Sequence, residues 1–160
     1  MQAMSSKRRV TLTTFVAIIL VLLTLQFELG MAVNLAGPPS IPPPGLSLDG
    51  LSNALHKAGA AAVLHASLGV LLVLLSAFVL VLSLRSGTRG PQVFGSLAFV
   101  ATLMAAFNGL LFVLSGFQRD GYSHGMASGF ILSFGFYFLE LYFLKPVPKA
   151  DGRNWTQPTS

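Results

Sequence analysis

Apolar residues along the chain gather into four long runs, about residues 10–30, 60–84, 93–117 and 125–144, separated by polar breaks. About 20 residues rising 1.5 Å each cover the ~30 Å hydrocarbon layer of a bilayer, so each run is long enough to cross one. A segment facing lipid must satisfy its own backbone hydrogen bonds, which makes all four runs helices. The breaks at 86–91 and 118–123 are tight, so the last three spans are expected to be antiparallel neighbours. The first break is longer, about residues 31–51, and holds a proline-rich stretch expected to be extended and partly polyproline-like. A helix over 47–59, N-capped by Ser52, is expected to lead into the second span. Residues 146–160 are polar and proline-containing and are expected to have little order. The fold class is therefore all-α: an integral membrane four-helix up-down bundle over residues 10–145, preceded by a basic segment 1–9.

Composition narrows this further. Of the 160 residues, 53% are hydrophobic and only 9% charged. A soluble domain carries about 25% charged residues, and a disordered chain far fewer apolar ones. Both classes are excluded. The chain has no cysteine, which removes disulfides, thiolate metal sites and iron–sulfur clusters. The net charge is +5, but the basic residues form no stripe with interleaved aromatics, so nucleic acid is not the expected partner. They sit at the ends of the apolar runs instead. With the N-terminus cytoplasmic, Lys7, Arg8, Arg9, Arg85, Arg89, Lys145, Lys149 and Arg153 lie inside, and only Lys57 and Arg119 outside. That bias places both termini in the cytoplasm of a cell whose plasma membrane, of prokaryotic type, holds the protein. The first run could instead be a signal peptide with Lys7, Arg8 and Arg9 as its basic region. Its length and the lack of a small-x-small cleavage site favour a retained span. The expected partners are the lipid bilayer and either other membrane subunits or a second copy of the chain.

Inside so apolar a bundle the informative residues are polar. His65 lies 20 residues from Arg85, His124 lies 21 from Lys145, and Glu28 lies 19 from Arg9. At 1.5 Å per residue all three stand ~30 Å from the inner anchors. Asn108 is 19 residues from Arg89. Each span thus offers one polar side chain towards the outer side. The second and fourth spans run in the same direction and sit diagonally across an up-down bundle. Two imidazoles at equal depth there could be the axial ligands of a haem, with Glu28 and Asn108 around them. Gly69 and Ser128, each four residues after a histidine, would leave room for a flat macrocycle.

Plainer readings stand beside this. Small residues at that spacing also serve helix packing. A histidine at the lip of the fourth span can simply be wetted, and His65 can be a hydrogen-bonded structural residue. A zinc site would need Glu28, His65 and His124 to converge without a local ligand motif. Gln26 is expected to bond within the bundle and His56 to be solvated. Glu140, five residues from Lys145, is expected to reach the inner interface as a structural residue, with a proton path as the other reading. Phe134, Phe136, Tyr137, Phe138, Tyr142 and Phe143 read as lipid contact and an inner aromatic belt.

Leu64-His-Ala-Ser-Leu-Gly69 at the start of the second span, Asn108-Gly-Leu-Leu111 in the third and Ser123-His-Gly125 at the start of the fourth resemble one four-helix half of the haem A synthase family. The long outer connection after the first span fits the same pattern. The resemblance implies a haem-binding relative with His65 and His124 as axial ligands. The chain departs from the family in holding Ala62 where a glutamate precedes the histidine, Ala66 directly after His65, and no outer-loop cysteine pair. Three functions follow as expectations. The first is a haem-binding membrane protein of electron transfer or of respiratory-oxidase or haem biogenesis. The second is a cofactor-free accessory or structural subunit, and the third a small transporter. No phosphate loop, Ser–His–Asp set or HExxH is present, so no catalytic residue is assigned.

Overall fold

The computed structural model describes residues 5–37 and 40–145, and the tail at 146–160 lies outside them. The described residues form five helices: α1 (Ser6–Ala36), α2 (Leu48–Ala58), α3 (Ala60–Leu84), α4 (Arg89–Leu114) and α5 (Asp120–Phe143). Four of them, all but α2, are long and apolar enough to cross a membrane.

The helix ends follow local chemistry. Ser5 caps α1 through its hydroxyl, which accepts from the Arg8 N–H at 3.4 Å. The helix then runs past the expected exit near residue 30, because Met31, Ala32, Val33, Leu35 and Ala36 carry the apolar run on until Gly37 turns left-handed at φ 62°. Its 31 residues span about 46 Å, more than the hydrocarbon layer needs. The cap of α2 is Ser47 rather than Ser52: its hydroxyl accepts from the Gly50 N–H at 3.1 Å. Gly59, at φ 101°, breaks the chain between α2 and α3, so the two are separate helices.

α4 begins four residues earlier than the apolar run suggests. Pro91 falls in its first turn, where the missing N–H has no intrahelical partner to lose. α4 also ends at Leu114 rather than near 117, because Gly116 and Phe117 both take positive φ. α5 starts at Asp120, whose carboxylate suits a helix N-terminus. His124 therefore sits in the second turn of α5.

α1 packs on α3 and α5, and α4 packs on the same two helices. α1 contributes the stripe Leu12, Val16, Ile19 and Leu23, which is buried against Leu72, Val79, Ala98 and Tyr137. α4 buries small residues, Gly95, Ala98 and Ala101, which lets α5 approach closely. A Cβ on Gly129 of α5 would stand 2.7 Å from the Ala105 nitrogen. Outward-facing Val21, Leu74, Val100 and Ile131, one from each long helix, are all more than half exposed. A surface this apolar matches lipid rather than water. The chain from residue 40 onward does not float free. The Ile41 N–H donates to Gly116 O at 3.4 Å and the Gln118 side-chain amide donates to Ile41 O at 3.2 Å, which straps it to the α4–α5 turn.

Candidate functional site: a histidine clasp and a buried polar seam

His65 is held by α1. Its Nδ1–H donates to the Gln26 backbone carbonyl at 3.1 Å, which leaves Nε2 as an acceptor for the Gln26 side-chain amide at 3.2 Å. The second amide proton of Gln26 goes to the His65 backbone carbonyl at 3.1 Å. The tautomer follows from this network, since a carbonyl can only accept. Gly30 lies against the ring: a Cβ there would come 3.0 Å from His65 Cε1. Gly69, one turn along α3, makes the same allowance for Gln26, whose Nε2 would stand 3.3 Å from a Cβ.

The other three expected residues do not join this clasp. Glu28 and His124 are exposed. The Asn108 amide donates to Met104 O of its own helix at 2.8 Å and packs against Gly125. Among the described residues no three His, Cys, Asp or Glu side chains gather as a metal site would require. A haem iron between His65 and His124 does not fit the side chains as they stand. Both ring nitrogens of His65 are engaged, and a metal at Nε2 would have to displace Gln26 and strand its amide. His56 is exposed and bonded within α2, its Nδ1–H donating to Ser52 O at 2.8 Å.

A second polar group lies deeper, between α3, α4 and α5. Glu140 and Tyr137 are both 0% exposed. This corrects the expectation that Glu140 reaches the interface and that Tyr137 belongs to a lipid-facing aromatic belt. Of that aromatic stretch, Phe134 and Phe136 pack on the core, and Phe138, Tyr142 and Phe143 face outward.

The seam has two layers. In the first, Thr102 Oγ1 donates to Ala98 O at 2.9 Å, Ser133 Oγ lies 2.7 Å from Thr102 Oγ1, and Ser76 Oγ donates to Thr102 at 3.4 Å. One donor and two lone pairs on Thr102 close this hub, with Ser133 as the donor to it. In the second layer Ser83 Oγ lies 2.5 Å from Glu140 Oε1 and 2.8 Å from Val79 O. Gly95 makes the space, since a Cβ there would come 2.8 Å from Ser83 Oγ. Among the described residues the Tyr137 hydroxyl stands beside Ser76 and Thr102 without closing a hydrogen bond, and Glu140 Oε2 also has no partner.

The spacing is regular: Ser76 and Ser83, Gly95 and Thr102, and Ser133 and Glu140 are each seven residues apart, two helical turns on one face. That shared interval was present in the sequence and is the signal that could have located the seam. Comparison of the chain with protein families, characterised proteins and solved structures gives no match.

Proposed function

We propose that the chain is an integral membrane bundle of up-down topology with both termini cytoplasmic, serving as a small accessory or structural subunit without a haem. The Gln26–His65 clasp carries the reading. It uses both nitrogens of the one histidine that lies between helices, so that residue acts as a helix-to-helix tie. Two pairs support the antiparallel course of α1 and α3: Gln26 meets His65, and Phe15 meets Phe78 with ring centroids 5.0 Å apart. The distribution of Lys and Arg supports the orientation. α5 leaves Gly121, Ser128 and Gly135, seven residues apart, on its exposed face, where another membrane helix can come close.

The test is an optical spectrum of the protein purified in detergent after expression with haem available, followed by titration with added haemin. A colourless protein that takes up none supports the subunit reading. A Soret band with sharp reduced α and β bands, lost in both His65→Ala and His124→Ala, overturns it and restores the haem-binding relative.

A further inference from the structure

The seam contains a group that a packing role does not explain. Glu140 is 0% exposed, and among the described residues its carboxyl makes one hydrogen bond, to Ser83. An ionised carboxylate in such a place needs a cation or several donors. Among the described residues no basic side chain hydrogen-bonds to it. Arg85 of α3 and Arg89 of α4 are exposed. Lys145, after α5, is exposed and sits 5.6 Å from the Tyr142 ring centroid. Arg9 of α1 is half-buried, and its Nε has no hydrogen-bond partner. From α5 itself the only titratable neighbour on the same face is Tyr137, whose hydroxyl makes no hydrogen bond.

Counting protons points the same way. Ser83 has one hydroxyl proton and two acceptors at hydrogen-bond distance, Val79 O at 2.8 Å and Glu140 Oε1 at 2.5 Å. With a carboxylate, one of those contacts would set two acceptors against each other. With the acid, Glu140 Oε1–H donates to Ser83 Oγ, and Ser83 donates to Val79 O, so every contact is satisfied.

We propose that Glu140, Ser83 and Gly95 form a proton-binding site inside the bundle. Glu140 supplies the atom that holds the proton, Ser83 accepts its hydrogen bond and donates its own to the Val79 carbonyl of α3, and Gly95 provides the room. The site lies five residues before Lys145, about 7–8 Å along α5 from that anchor. The Lys145 end of the bundle is therefore the nearer one for exchanging that proton. The Glu140 Oε2 and Tyr137 hydroxyl, both without partners, continue the polar path towards the Thr102 hub.

Infrared spectroscopy of the protein in lipid nanodiscs near neutral pH tests this. The expected result is a C=O stretch of a protonated carboxylic acid that shifts in D2O and is lost in Glu140→Gln. In Ser83→Ala the band should persist at a shifted frequency, because its acceptor is gone. The Ser83→Ala spectrum keeps the test decisive if Glu140→Gln does not fold. A folded protein showing only carboxylate bands overturns the proposal. So does a band unmoved by Ser83→Ala or still present in Glu140→Gln. Loss of the band on adding sodium at constant pH would show a metal-cation site instead and would equally overturn it.

Discussion

The Gln26–His65 clasp yields a coupling that a double-mutant cycle can measure. Three contacts join the two residues, but only the one between side chains, Nε2 to Nε2 at 3.2 Å, needs both of them. Gln26→Leu removes that contact and the amide bond to His65 O. His65→Leu removes it and the ring bond to Gln26 O. The two carbonyls keep their places in the helical ladder, so what each loses is secondary. Side-chain hydrogen bonds between membrane helices average about 0.6 kcal/mol, with an upper end near 1.7. Stranding a buried partner costs about 1–3 kcal/mol. His65 is only half-buried, which favours the lower scale, while Gly30 closing on the ring limits replacement by water. We expect each single variant to cost about 1–2 kcal/mol and the coupling to be about 1 kcal/mol. Gln26→Leu should be the milder, because it also removes an Oε1 that has no partner. The assay is reversible unfolding in mixed lipid–detergent micelles, followed by helical circular dichroism. Additive costs, within about 0.3–0.5 kcal/mol, would refute the clasp.

Two further expectations use the same fold. Gly129→Ala should destabilise the bundle by about 1–3 kcal/mol, since its Cβ meets the Ala105 backbone, whereas Gly135→Ala, with nothing within 4 Å, should change stability by less than about 1 kcal/mol. Equal costs in the same unfolding assay would mean that α4 and α5 do not pack as described. Because the chain has no cysteine, single cysteines report topology directly. An impermeant maleimide should label Asn53→Cys in intact cells and Arg89→Cys only after lysis, and the reverse pattern would overturn the proposed orientation.

The four long helices were legible because length and hydropathy alone decide them. The sequence gives each polar residue a height along its helix but not a partner. Counting from basic anchors gives height along a helix and nothing about direction around it, and each residue turns the direction by 100°. His65 and His124 were placed at one height on that count, yet the ring of His65 is turned to Gln26 on α1, while His124 is exposed. The start of α4 added a second error, since Pro91 looked like a break and is a first-turn residue.

Glu140 shows what direction decides. Its distance from Lys145 suits a side chain reaching for the interface, and on height alone that reading is sound. Direction is set by Gly129, Ser133, Tyr137 and Glu140, which recur at intervals of four, four and three and therefore share one face of α5. Gly129 fixes what that face meets, because its lack of a Cβ is what lets Ala105 of α4 come close. A carboxyl on the same stripe is committed to the helix interface before any snorkelling can occur. Its partners must then come from the facing helices, and the seven-residue steps on α3 and α4 supply Ser83 and Gly95 at that level. Neither residue is conspicuous alone, since serine often bonds to its own helix and glycine often serves packing. The information lay in the interval being the same on three consecutive helices. That coincidence brings one hydroxyl and one glycine gap to the carboxyl and, among the described residues, no hydrogen-bonded cation, which is the arrangement the proposed protonation would resolve.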